Sequence, residues 1–313
     1  MQQRAAVHAR PVVAGQARPG ALLRLPRVLT AESPLPWLFP MLALVTAFGL
    51  YPLAYSVWLS LHRQNIYTRS LEYVGFQGWA EVLNDGRMWA AMGTTLIYVG
   101  ASLAVQLVLG LGIALLLDCD RRGYGVLRAL VTLPLVVPPA VAGLMFLLML
   151  DGQYGVLAQG LHAAGLLSPA TPILGTPGLA LAGLILVDVW QWTPFMVLIF
   201  VAGLRALPAE PFEAAAIDGA GPIAAFCHLT LPMLGKVIAL AVLIRGIDLF
   251  RVYDYVYVMT SGGPGTATET LSWYAGRLFG LANFPAAAIL SLITLLVVNA
   301  AAAAFFRAAR VRL

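Results

Sequence analysis

Charge is what this chain of 313 residues has least of: Asp, Glu, Lys and Arg make up 11% of it, against 60% hydrophobic residues. Soluble domains run at about 25% charged and about 45–50% apolar, so the shortage points to an integral membrane protein. Lysine is nearly missing. Its one example, Lys236, is followed by Val237, whereas a phosphate-binding P-loop needs Lys followed by Ser or Thr, so the chain is not expected to hydrolyse ATP. Two cysteines, Cys119 and Cys227, are too few for a disulfide framework and are read as reduced thiols. His-Glu-x-x-His, paired cysteines at zinc spacing and Gly-x-Ser-x-Gly are all absent. The histidines (His8, His62, His162, His228) are scattered over separate segments, so no metal site and no catalytic residues are expected. The excess of 19 basic over 14 acidic residues is read as membrane topology, with no nucleic-acid partner.

Six apolar runs are present, at about 36–61, 91–117, 127–150, 180–204, 234–259 and 284–306. Each reaches the ~20 residues needed to cross ~30 Å of hydrocarbon. Lipid offers no partner to open backbone, so helices are expected, and no alternating ten-residue pattern suggests a barrel. The expected fold class is all-α, a polytopic membrane protein with six transmembrane helices. Residues 1–35 are expected to form a poorly ordered arm, and 36–313 one membrane domain. The apolar run after the arm is too long for a removed signal peptide and lacks its cleavage pattern.

Basic residues fall unevenly on the links. Thirteen sit on one set: Arg4, Arg10, Arg18, Arg24, Arg27, Arg121, Arg122, Arg128, Arg205, Lys236, Arg307, Arg310 and Arg312. The other set has four: Arg63, Arg69, Arg87 and Arg277. Positive charge stays cytoplasmic. Both termini and the 205–235 link are therefore expected inside, with the 62–89 and 151–178 links outside.

The fifth run carries Arg245, Asp248, Arg251 and Asp254 at successive spacings of three. On one continuous helix this row winds halfway round while rising about 13.5 Å, so it cannot face lipid along its whole length. Alternating signs allow ion pairs that lock helix packing. The alternative is a pathway lining by Phe250, Tyr253, Asp254 and Tyr257, with residues 250, 254 and 257 sharing a face. Rings beside carboxylates suit sugars, whose C–H faces stack while their hydroxyls hydrogen-bond. The fourth run adds Asp188, Trp190, Gln191 and Trp192, although the two tryptophans also fit an interfacial belt. Pro194 is expected to kink that helix, and Pro134, Pro138 and Pro139 to distort the third. Two rival readings use the same residues: a stand-alone secondary transporter with ion coupling through the charge row, and a membrane enzyme with Asp188, Asp248 or Asp254 as acids. The secondary-transporter reading leaves the long 205–235 link unexplained.

That link contains EAAAIDGAGPIAAFCHLTLP, residues 213–232. Connectors between neighbouring helices take about 2–8 residues, and this one is far longer. Pro211 suits a first helical turn, Glu213 the positive end of a helix dipole, and Gly219 a left-handed stop. Pro222 suits a second start, and Pro232 is expected to separate that short helix from the fifth span. Phe212, Ala215 and Ala216 would share one side of the first short helix, a shallow knob for a partner's groove. Packing on the membrane surface is the alternative.

Glu213-Ala214-Ala215, then three residues, Gly219, nine residues and Leu229-x-Leu231-Pro232 resemble the signature loop of permease subunits of ABC importers. The family usually has Ile where Leu229 stands. Val74-Gly75-Phe76, Trp192-Thr193-Pro194-Phe195, Phe250-Arg251-Val252-Tyr253-Asp254 and Gly262-Gly263-Pro264 with Thr266 and Thr268 make the chain similar to maltose-, trehalose- and glycerol-phosphate-type permeases. The resemblance runs from about residue 36 to the end. It implies a type I importer permease fold with cytoplasmic coupling helices in a bacterial inner membrane. It implies that the 205–233 loop docks on an ATPase subunit, with Glu213 and Gly219 central and Phe212, Ala214, Ala215, Asp218, Leu231 and Pro232 around them. It also implies a second permease subunit, two ATPase copies holding ATP and Mg, and a solute-binding protein that delivers a sugar, with a polyol, glycerol phosphate or other solute as the alternative cargo. No cofactor is expected on this chain.

Overall fold

The computed structural model describes residues 35–65, 68, 70–118 and 123–309. The arm over 1–34, Cys119, Arg69, the Arg121–Arg122 pair, Arg310 and Arg312 lie outside the described residues. The chain divides into two units, one ending at Ala54 and one running from Tyr55 to Leu313. Helix α1 (Leu35–Val45) passes through a π-helical turn at Thr46–Leu50 into α2 (Tyr51–Ser60). A short antiparallel hairpin follows, β1 (His62–Gln64) with β2 (Leu71–Tyr73), then α3 (Gln77–Leu83) and α4 (Gly86–Leu117). After α4 come α5 (Tyr124–Thr132), α6 (Pro139–Met149), α7 (Val156–Ala163) and α8 (Pro177–Arg205). The chain continues through α9 (Glu210–Ile217), α10 (Pro222–Ala225), α11 (Leu231–Leu249), α12 (Leu271–Gly280) and α13 (Phe284–Ala309).

Among the described residues, five stretches are long and apolar enough to cross a membrane: Trp37–Ser60, Gly86–Leu117, Pro177–Arg205, Pro222–Leu249 and Phe284–Arg307. A sixth is a broken pair, Tyr124–Val136 and Pro139–Met149, bent by 94°. The third expected span is thus present but interrupted. Pro134, Pro138 and Pro139 remove three backbone donors within six residues, and the α-helix gives way to a 3-10 turn at Leu133–Val136.

Helices α4 and α8 form the centre of the second unit, and their contact is close because small residues lie on it. A Cβ on Gly110 of α4 would stand 2.6 Å from Met196 Cβ of α8. Likewise, a Cβ on Gly203 would stand 2.8 Å from Val237 Cγ1 of α11. Met196, Phe200, Leu204, Leu234 and Ala241 fill the core at this end, while Tyr98, Phe146, Leu184, Val187, Leu249 and Val256 fill the other. Gly110→Ala should push α4 off α8 at a cost of about 1–3 kcal/mol. Thermal unfolding of the purified protein checks this, and an unshifted midpoint would contradict it.

Two expectations about the last third of the chain are corrected. Pro232 does not separate the short helix from the fifth span: Pro222–Leu249 is one continuous helix. A π-helical turn at Phe226–Thr230, in which Leu231 N–H reaches Phe226 C=O, precedes the proline and accommodates its missing donor. The same arrangement occurs at Thr46–Leu50 ahead of Pro52. The fifth helix also does not run on to residue 259. It stops at Leu249, and Asp254 begins a separate turn that becomes π-helical at Val256–Thr260. Between them, Thr270 Oγ1 donates to Val252 C=O (3.2 Å) and Ser272 Oγ to Arg251 C=O (3.4 Å). Side chains from α12 and its N-cap thus satisfy carbonyls that a continuous helix would have used itself. Phe250, Asp254 and Tyr257 therefore do not share a continuous helical face, and the winding charge row is broken after Asp248.

Candidate functional site

Arg245 is the centre of the polar interior. It lies on α11 with 2% of its surface exposed, and every arm of its guanidinium is engaged. Nη2 donates to both oxygens of Asp188 on α8 at 2.6 Å, and Nε donates to Gln106 Oε1 of α4 at 2.9 Å. Nη1 bonds Asp248 one turn on, and the Trp192 ring lies 4.7 Å from the guanidinium carbon. Gln106 Nε2 closes the circuit on Asp188 Oδ2 at 2.7 Å, while Tyr98 of α4 is fully buried and its hydroxyl has no hydrogen-bond partner among the described residues. Three helices are tied together by one cation. Such a pair is tolerated in a low-dielectric interior only because nearly all its lone pairs and protons have partners.

A second chain of bonds leaves this cluster through Trp192. Its Nε1 donates to Tyr255 Oη at 3.1 Å, Tyr255 donates to Gln191 Oε1, and Gln191 Nε2 donates to Val137 C=O. A cavity of about 160 Å³ opens beside both chains, lined by Pro139, Asp188, Trp192, Arg245, Asp248, Arg251 and Tyr253–Tyr255 among others. Asp188, Trp192, Arg245, Asp248, Arg251, Tyr253 and Asp254 of the expected pathway are therefore brought to one place. Trp190 instead packs on Phe146 with ring centroids 5.4 Å apart, and Phe250 is buried in the core. Tyr257 is exposed and stacks on Tyr253 at 5.7 Å, outside the cavity lining. A larger cavity of about 890 Å³ lies between α2, the hairpin, α12 and α13, and among the described residues no Asp, Glu, Lys or Arg lines it.

Beyond the cavity, the segment Gly262–Thr270 is pinned to the start of α4. Arg87 holds Glu269 with two bonds of 2.6 and 2.8 Å, and Tyr274 donates to Asp85 at 2.8 Å. Burial pushes the Glu269 carboxyl up, against the pull of Arg87. Gly262 has φ +84°, and a Cβ there would stand 2.9 Å from the Trp273 ring, so the segment needs glycine at this point.

At the far end of α11 the 205–233 loop forms α9, a turn and α10. Glu210 and Glu213 occupy the first turn of α9, where carboxylates suit the helix dipole. Gly219 ends it at φ +77°, with Ala220 N–H bonded to Ala215 C=O at 2.9 Å. Glu213, Ala214, Asp218, Gly219, Leu231 and Pro232 are exposed, while Phe212 and Ala215 are half-buried. Ile217 and Ile223 flank the turn at 87% and 79% exposure, an apolar pair at the tip of a solvent-facing loop.

Residues 106–312 match the model of the binding-protein-dependent transport system inner membrane component family. The chain belongs to that family. It is a multi-pass permease subunit of a binding-protein-dependent ABC transport system, and such a subunit is not itself an enzyme. The permease is 35% identical to the trehalose/maltose transport system permease protein MalF of Thermococcus litoralis, over 88% of this chain and 92% of that one. It is 32% identical to the trehalose transport system permease protein SugA of Mycobacterium tuberculosis (75% of each chain). To the sn-glycerol-3-phosphate permease UgpA of Yersinia pestis it is 30% identical over 85% of this chain and 90% of that one. Its fold matches a chain in the crystal structure of a bacterial alginate ABC transporter with an alginate pentasaccharide-bound periplasmic protein. The TM-score is 0.76 at 19% identity, covering 88% of the permease and 93% of that chain.

Gln106 and Tyr98 were not singled out by sequence reasoning, although a glutamine inside the second apolar run was a visible signal. Ile217 and Ile223 were missed too, because nothing local distinguishes an exposed isoleucine from a buried one.

Proposed function

We propose that this permease forms part of the translocation path for a neutral sugar in an ATP-driven importer, both termini and the 205–233 loop facing the cytoplasm. The observation that carries the substrate class is the charge balance of the 160 Å³ cavity. Arg245 is already neutralised by Asp188 and Asp248, and three carboxylates (with Asp254) face two guanidiniums (with Arg251). A phosphate or acidic solute would meet no uncommitted buried cation there, whereas the rings of Trp192, Tyr253 and Tyr255 beside carboxylates suit hydroxyls and C–H faces. The trehalose- and maltose-transporting relatives support the same class. Exposed Arg251 favours the second reading, an anionic solute as for the glycerol-phosphate relative.

The cavity is smaller than the ~300–1,000 Å³ that encloses a ligand. We therefore assign this chain one wall of a site completed by a second permease subunit. A solute-binding protein delivers the sugar from outside. The Gly219 loop, with Ile217 and Ile223 at its tip, docks on one of two cytoplasmic ATPase copies, which hold the ATP and Mg that this chain has no P-loop to bind. The test is ATPase stimulation and uptake by the reconstituted complex across neutral sugars, polyols and glycerol phosphate. Stimulation by glycerol phosphate alone overturns the neutral class. Asp254→Ala should raise the half-saturating sugar concentration or lower turnover about tenfold, the scale of one lost charge-assisted hydrogen bond. Wild-type kinetics in that variant would remove Asp254 from the path.

A further inference from the structure

The third span is interrupted where its backbone has lost its donors. Pro138 and Pro139 carry no N–H, and the helix that resumes at Pro139 closes its first turn from Ala142 N–H to Pro138 C=O at 3.0 Å, one residue short of Val137. The Val137 carbonyl gains no backbone partner from that turn, and on a membrane-spanning segment it needs one from elsewhere. Gln191, 2% exposed, supplies its donor through Nε2. The glutamine is itself held: Tyr255 donates to its Oε1, and Trp192 donates to Tyr255. Trp192 and Tyr255 line the 160 Å³ cavity, Pro139 lines it from the resumed helix, and Gln191 does not touch it. A solute resting on Trp192 and Tyr255 therefore meets two groups whose polar atoms are committed, through Gln191, to the break.

We propose that Gln191 is a positioning residue of the transport cycle, coupling the bend between Val136 and Pro139 to occupancy of the solute cavity. This rests on reading that cavity as the solute path. A break held by a side chain rather than by its own backbone has an alternative arrangement within reach, since releasing one amide frees Val137 C=O while both flanking helices stay intact. That is the two-arrangement element that coupling between sites requires.

The experiment uses the reconstituted complex with Gln191→Leu and Gln191→Glu, measuring uptake turnover and half-saturating solute at pH about 8 and about 5.5. Gln191→Leu removes the donor, and turnover is expected to fall at least about tenfold while half-saturation moves less than about threefold. Gln191→Glu as a carboxylate repels the carbonyl, whereas the protonated acid donates to it. Its turnover relative to Gln191→Leu at the same pH is therefore expected to rise about tenfold on acidification. The titratable groups around the position are Tyr98 of α4, Asp188 of its own helix, Arg245 and Asp248 of α11, and Tyr255. They are present in both variants, so the ratio reports the side chain at position 191. A purely packing role would leave that ratio flat. Unchanged turnover in Gln191→Leu, or a flat ratio, overturns the proposal. Should Gln191→Leu fail to assemble, Gln191→Glu is compared with itself across pH against wild type. Absence of solute-dependent uptake by the wild-type complex overturns the pathway reading, and the proposal with it.

Discussion

An Asp188→Ala permease is expected to lose about 3–5 kcal/mol of stability, because the buried Arg245 guanidinium would be left without the carboxylate whose two oxygens both accept from its Nη2. Thermal unfolding of the purified complex, and its yield from the membrane, read this directly. The informative comparison is the triple variant Asp188→Leu, Arg245→Met, Gln106→Leu, which removes the whole buried circuit and leaves apolar groups of similar size. Asp248, whose side chain is 42% exposed, can then turn to water. The triple variant is expected to regain most of the lost stability, since a packed apolar core replaces a buried ion pair at little cost. All the guanidinium nitrogens already bond to protein groups, so uptake is expected to return to within about tenfold of wild type. Stability without uptake would instead mean that Arg245 or Asp188 binds the solute directly from the cavity wall, and this single comparison separates a lock from a ligand contact.

The second large effect is expected at Gly219. Nothing stands within 4 Å of a Cβ built there, so Gly219→Asp meets no steric obstacle in the permease itself. The left-handed φ of +77° costs a non-glycine residue about 1 kcal/mol, which an exposed turn at the end of an eight-residue helix can absorb. The added charge, however, sits at the apex between Ile217 and Ile223, where an apolar contact with the ATPase subunit would be made. Uptake is expected to fall more than tenfold and solute-stimulated ATP hydrolysis to disappear, while membrane insertion and unfolding temperature stay near wild type. Normal uptake in this variant would take the loop out of the coupling path.

Legibility from sequence depended on how local each cause was. The Gly219 stop, the Pro222 start and the acidic first turn of α9 depend on neighbours within four residues, and all three are seen where they were expected. The prolines of the third run announced a distortion, but its 94° size depends on what surrounds the break, including an amide supplied by residue 191, 54 positions away. The end of the fifth helix at Leu249 was illegible for the same reason. Residues 250–259 continue an apolar run, and only hydroxyls arriving from Thr270 and Ser272 make another path for the backbone favourable. At the site, the acids and rings of α8 and α11 could be named in advance. Their grouping could not, because it required knowing that Gln106 of α4 faces the same point.

The π-helical turn at Phe226–Thr230 has a mechanical consequence. By letting the chain pass Pro232 without a break, it leaves 28 residues from Pro222 to Leu249 as one rod, about 42 Å long. One end begins three residues after Gly219, and the other carries Arg245 and Asp248. A rod that long acts as a lever arm: tilting it by about 5° carries its tip sideways by about 4 Å, more than the length of a hydrogen bond. A small displacement at the solvent-facing turn thus arrives at the polar cluster at a scale that can break or make its bonds, without any side chain in between having to relay it.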